Sequence, residues 1–202
     1  KAEKPSLPDE SIGAHPIDRF VNHRLEKAQL PSNGRAEDHV LIRRVYYDLT
    51  GLPPSPAEVE AYVSDQNQNK FSQLVDHLLA SPHYGEKWGR HWLDLVRYAE
   101  TNGYERDGNK PEIWRYRDYV IDSFNQNKSY DRLVLEHIAG DELPDADAAS
   151  ITATGYQRLG VWDDEPADRT LAKFDYLDDI VRTSGELFLG MTIGCARCHD
   201  HK

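Results

Sequence analysis

The sequence predicts an all-α fold, a single irregular helical domain of about eight helices joined by long loops. Three observations carry this expectation. Apolar residues recur at three- and four-residue intervals along most of the chain. Prolines and small polar residues fall where helices start and stop. No stretch of four or more residues shows clear strand alternation between bounding turns. The 202 residues suffice for one well-buried domain.

Residues 1–15 hold two prolines and scattered charge and read as an arm or linker. Residues 16–202 form the helical domain. Pro16 suits a first helical turn, and Ile17, Phe20, Val21, Arg24 and Leu25 follow at helical spacing. Leu41, Val45 and Leu49 mark a second helix, which Gly51 and Pro53-Pro54 stop. Ser55-Pro56-Ala57-Glu58 supplies a cap, a first-turn proline and the acid of a capping box, so a third helix runs to about Ser64. A fourth covers about Phe71 to Ala80 with Leu74, Val75, Leu78 and Leu79 inward. Ser81-Pro82 starts a fifth that reaches Tyr98. A sixth spans about Pro111 to Asn125 and a seventh Tyr130 to Ala139. Residues 140–167 are rich in Asp, Ala, Pro and Gly and read as loops, with a short helix over Ala148 to Gly155. A long helix from about Arg169 to Leu189 carries Leu171, Phe174, Leu177, Val181, Leu187 and Phe188.

The formal net charge of −11 repels phosphate backbones and anionic lipid, which argues against nucleic acid and membrane surfaces as partners. No apolar run approaches the ~20 residues that span a bilayer. The chain opens on Lys1 without a signal-peptide pattern, so its compartment is not read from that end.

Two cysteines occur in the chain, too few for a disulfide framework. They stand in Gly194-Cys195-Ala196-Arg197-Cys198-His199-Asp200-His201-Lys202. Cys-x-x-Cys-His is the attachment pattern of haem c. Two thiols three positions apart on one turn can reach the two vinyl groups of the macrocycle, and the next residue then presents an imidazole to the iron. Given this composition, the motif arises by chance roughly once in 2,000. Cys195, Cys198 and His199 are therefore the expected haem site, with His199 the proximal iron ligand. The competing readings are a thioredoxin-like pair, which favours a βαβ setting not seen here, a zinc site completed by His199 or His201, and a plain disulfide or inert thiols.

The second axial ligand is harder to read. Within the chain His91 is the better candidate. Tyr84, Trp88, His91, Leu95 and Tyr98 fall on one helical stripe, which lines either a haem pocket or simply the core, with His91 then a core histidine. Met191 lies eight residues before His199 and reads as a core filler. His83 and His201 are further options, and His15, His23, His39, His77 and His137 read as surface or helix-face residues. The acids Asp163-Asp164-Glu165 and Asp175, Asp178 and Asp179 read as a solvated face, with calcium the alternative. Tyr104-Glu105-Arg106-Asp107 reads as a ligand-facing loop or an ion-paired turn. Arg115 and Arg117 suit haem propionates or, beside so many acids, internal salt bridges. No phosphate loop, nucleophile elbow or kinase signature is present.

Several longer segments resemble a known family. They include Ile17-Asp18-Arg19-Phe20-Val21, Asp48-Leu49-Thr50-Gly51-Leu52-Pro53-Pro54 and Ser81-Pro82-His83-Tyr84-Gly85-Glu86-Lys87-Trp88. Others are Arg90-His91-Trp92-Leu93-Asp94, Trp114-Arg115-Tyr116-Arg117-Asp118-Tyr119-Val120, Ala139-Gly140-Asp141 and the run from Gly190 to Lys202. Together they resemble the planctomycete-type cytochrome-associated domain of unknown function, the middle module of large secreted proteins. The resemblance implies a periplasmic or secreted, mostly helical protein that accompanies another cytochrome module. In such relatives the chain continues past the position of Lys202, so part of the haem surroundings is expected to lie beyond it.

Three functions follow. The first is an extracytoplasmic c-type haem domain passing electrons to or from a partner domain, either another cytochrome module or a redox protein. The second is a haem-dependent oxidoreductase with an open sixth site. The third is a non-redox helical interaction module with structural or inert cysteines. The sequence does not decide whether the protein is an enzyme, and a chain made where haem is not attached would lack the haem c.

Overall fold

The computed structural model describes residues 15–200. Among them the expectation of an all-α protein is met. Nine α-helices and two 3₁₀ turns account for the regular structure, and the only extended pairing is an isolated bridge between Thr101 and Asn109. Residues 1–14, the body of the expected arm, and residues 201–202, including His201, lie outside the described residues. The chain falls into two units, dividing between Leu41 and Ile42.

The first unit holds α1 (Pro16–Lys27) and the start of α2 (Asp38–Leu49). His15 caps α1 by accepting the Ile17 N–H on its ring, and Pro16 takes the first turn, as its missing N–H allows.

The second unit begins within α2. Ile42 and Tyr46 of α2 pack with Tyr62 of α3 (Pro56–Ser64) and Leu78 of α4 (Lys70–Leu79) in a small cluster. The capping box of α3 forms as expected. The Ser55 N–H donates to Glu58 Oε2 at 2.7 Å, and the Glu58 N–H donates to Ser55 Oγ at 3.3 Å. Leu79, expected inward, is exposed, because Leu74, Val75 and Leu78 already fill the narrow face α4 buries.

The main core lies among α5 (Pro82–Leu95), α6 (Trp114–Asn125), α7 (Tyr130–Ala139), α8 (Ala148–Ala153), the 3₁₀ turn Thr154–Arg158 and α9 (Arg169–Leu189). Trp92, Val96, Tyr116, Tyr119, Val120, Leu133, Ala153, Tyr156 and Leu159 are its buried members. α5 ends three residues earlier than the sequence suggests, because Arg97 adopts φ 60° and turns the chain out of the helix. α6 starts at Trp114 rather than Pro111, after a turn. α5 and α6 meet closely at Gly85, where a Cβ would stand 2.4 Å from the Ile121 carbonyl oxygen. Asn125 locks this crossing by accepting the Gly85 N–H at 2.8 Å and donating to the Pro82 carbonyl at 3.2 Å.

Candidate haem-attachment site

The site is built by α9 and the segment that follows it. Asp168 caps α9 by accepting the Thr170 and Leu171 N–H groups at 2.9 and 3.0 Å. Gly190 ends it in the left-handed conformation, φ 62°, which costs a glycine nothing. The chain then doubles back along α9. The Met191 N–H donates to the Gly185 carbonyl at 3.0 Å, and Ile193 seats on Gly185, where a Cβ would come within 2.4 Å of the Ile193 side chain. Gly194 lies on the stem of Arg182, one helical turn nearer the N-terminus of α9. Further on, the Arg197 guanidinium bonds Asp178 at 3.1 Å and also Asp175. Residues 175, 178, 182 and 185 share one face of the helix. That face is the bed on which the Cys-x-x-Cys-His segment lies.

The motif itself forms a 3₁₀ turn, Ile193–Arg197, with Cys198 at its end. The Cys198 N–H reaches the Cys195 carbonyl at 3.4 Å. In such a turn residues i and i+3 eclipse one another, so Cys195 and Cys198 share a side. Both thiols are free and exposed. His199 is exposed too, and its Nδ1 lies 3.0 Å from the Asp200 carbonyl oxygen. A carbonyl only accepts, so Nδ1 is the donor, and in the neutral ring that leaves the Nε2 lone pair an iron requires. Two free thiols on one side and an imidazole with Nε2 unprotonated form the donor set that fits a covalent haem.

Arg197, Gly185 and Gly194 were not singled out as site residues by sequence reasoning. A signal for Arg197 was present, since Asp175 and Asp178 stand one turn apart on a helix and form a carboxylate pair suited to a guanidinium. Replacing Arg197 by alanine should leave the melting temperature close to the parent's, because both ion pairs are exposed. It should instead make residues 190–200 the first segment cut in limited proteolysis. Parent-like cleavage there would mean that Arg197 does not hold the turn.

The proposed sixth ligand lies elsewhere. His91 is exposed on α5 with its ring centroid 5.5 Å from that of Trp88. It is not a core histidine, and Trp88 and Leu95 beside it are exposed as well. The buried face of α5 is instead Gly85, Gly89 and Trp92. Among the described residues no hydrogen bond or ring contact joins His91 to the motif. His83 pairs with Glu86 at 2.8 Å, and Met191 is exposed rather than a core filler.

Four of the six clustered acids pair with cations, while Asp163 accepts the Glu165 N–H and Asp164 the Asn102 side-chain amide. Besides the Arg197 pairs, Asp179 bonds Arg97 at 2.8 Å and Arg182 at 3.3 Å, and Glu165 bonds Arg106 at 2.7 Å. Tyr104–Asp107 is thus an ion-paired turn. Arg115 and Arg117 form internal salt bridges, to Glu112 at 2.7 Å and to Asp118 at 2.9 Å. Among the described residues no three histidine, cysteine or carboxylate groups converge as a metal-ion site.

His137, read as a surface or helix-face residue, is on a helix but completely buried. His137 sits at the centre of the main core, ringed by Trp92, Tyr116, Tyr119, Tyr156 and Phe188. Its Nδ1 donates to the Leu133 carbonyl at 2.7 Å, so its Nε2 accepts from Tyr116 Oη at 2.7 Å and Trp92 Nε1 at 3.2 Å. Burial presses its pKa down to about 4. Its neighbour Glu136 is also buried and accepts from Lys128 at 2.5 Å, Arg132 at 2.7 Å and Tyr119 Oη at 2.7 Å. Burial pushes the Glu136 carboxyl up, but these three donors outweigh it and hold it below the ordinary carboxylate range. The signal for an inward His137 was its spacing. Leu133, His137 and Gly140 follow one another at i, i+4 and i+7 on the α7 core face.

Among the described residues no helix is long and apolar enough to cross a membrane. Comparison with curated proteins and with solved structures gave no match. A family does match, over residues 16–202 and so over nearly the whole chain. On the strength of that match the chain belongs to the family described as PSCyt2, protein of unknown function (DUF1549).

Proposed function

We propose that this domain is a c-type cytochrome module of the periplasm or cell exterior, with haem c bound through Cys195, Cys198 and His199. It passes single electrons to or from a partner that is a further cytochrome module or another redox protein. The observation that carries this is the fold-back after α9. It presents two unpaired thiols on one side of a turn, with a neighbouring imidazole whose Nε2 lone pair is free. The cytochrome element of the family label points the same way.

Attachment requires no oxidant. Each thiol S–H of Cys195 and Cys198 would add across a vinyl C=C, its sulfur bonding the inner carbon and its hydrogen going to the outer one, with nothing released. The bound iron supplies a one-electron couple. The protein's part is to hold the turn through Arg197 and to fix the His199 tautomer through Asp200.

Absorption spectra of protein exported with a cytochrome c maturation system test this reading. A six-coordinate low-spin spectrum with sharp reduced α and β bands, taking up one electron per chain, is the expected result. The Cys195→Ala/Cys198→Ala variant should lack these bands. High-spin iron that binds cyanide would favour the oxidoreductase reading instead. A properly exported chain without haem would remove both and leave the interaction module.

A further inference from the structure

α9 carries a row of large apolar side chains that the fold leaves uncovered. Phe174 is 62 % exposed, Leu177 43 % and Val181 59 %. On a helix, residues three and four apart are neighbours, so Phe174, Leu177 and Val181 form one ridge, and Asp178 adjoins both Phe174 and Val181. Asp178 is also where Arg197 is anchored, one residue before Cys198. The ridge therefore borders the attachment turn directly. Leu171, 56 % exposed and one turn before Phe174, extends the row toward the start of α9.

Resting on the haem reading above, we propose that the ridge Phe174–Leu177–Val181 is the bed for one face of the porphyrin. Four features support this occupant. The macrocycle is flat and apolar, as is the row. The thioether bonds would tether it at Cys195 and Cys198, beside the row. Arg197 clamps that tether to the same helix at Asp175 and Asp178. The turn covers the 175–178–182–185 face and leaves the ridge open alongside it. Apolar cover limits solvent access to the haem, which raises its reduction potential.

The test compares three exported, haem-loaded full chains. These are the parent, Phe174→Glu/Val181→Glu, and Leu135→Glu/Ile138→Glu as a control that adds the same two carboxylates at exposed apolar residues of α7 (51 % and 52 %). Since none of these side chains is buried, all three should show the same far-ultraviolet circular dichroism. The α9 double variant should keep its covalent haem but show a lowered midpoint potential, because two carboxylates favour ferric iron and water gains access. The control should match the parent. Independently of any α9 variant, hydroxyl-radical footprinting should find Phe174 protected in the haem-loaded parent relative to the Cys195→Ala/Cys198→Ala chain. A haem-loaded parent with an unprotected Phe174, or a double variant whose potential equals the control's, would overturn the proposal. A parent that takes up no haem would overturn the underlying reading instead, and this proposal with it.

Discussion

Replacing Gly140 by alanine should destroy the folded state. A Cβ there would stand 1.9 Å from the Ser150 carbonyl oxygen and 2.5 Å from that of Glu136. Both are backbone atoms, so no side chain can rotate away to make room. The contact is also tied from the other side, where Ser150 Oγ donates to the Gly140 carbonyl at 2.8 Å. Ser150 cannot retreat without undoing the capping box it forms with Asp147 at the start of α8. Overpacking of this kind, with loss of a buried hydrogen bond, should cost ~4 kcal/mol or more. That approaches the whole stability of an ordinary domain, about 5–15 kcal/mol. Chemical denaturation followed by circular dichroism should find Gly140→Ala unfolded or close to it in buffer. A denaturation midpoint within experimental error of the parent's would show that α7 and α8 do not pack as described.

The second large effect is carried by His137 and has a pH signature. Its neutral Nδ1–H tautomer satisfies the Leu133 carbonyl, Tyr116 and Trp92 at once. His137→Leu keeps most of the volume but leaves the Leu133 backbone carbonyl without the Nδ1–H donor and the Tyr116 hydroxyl without its Nε2 acceptor. It should cost about 2–4 kcal/mol at pH 7. The folded pKa of about 4 lies below the ordinary 6.5. Between those values the unfolded chain binds a proton that the folded chain refuses, so stability falls as pH falls from 6.5 toward 4 and is fully present above 6.5. The loss from this one group is about 3 kcal/mol. Urea unfolding of the parent at pH 7 and at pH 4.5 should show most of it. His137→Leu should be weaker at pH 7 but nearly flat over the same window. A variant as acid-sensitive as the parent there would locate the effect in another group.

How far the sequence anticipated this molecule depended on the range of the forces involved. Local signals read well. Ser55, Pro56 and Glu58 set the start of α3 through neighbours three residues apart, and the structure has the same capping box. The direction in which a side chain faces was less legible. His137 read as a surface or helix-face histidine because imidazole is polar, yet three partners from α5, α6 and α7 satisfy it in the core. Trp88 and His91 looked like pocket or core residues, but on α5 the close approach of α6 belongs to Gly85 and Gly89, which turns the tryptophan at 88 outward. The Cys-x-x-Cys-His motif was legible as spacing alone. Its setting was not, because the fold-back on α9 is fixed by pairs 19 and 22 residues apart, Arg197 with Asp178 and with Asp175.

The most direct test of the haem assignment is the intact mass of the denatured, exported chain, beside that of Cys195→Ala/Cys198→Ala. The parent should be heavier than its polypeptide by one haem, with the increment retained in denaturant and absent from the double variant. A parent at the bare polypeptide mass, after export with a maturation system that loads a control cytochrome, would contradict the assignment.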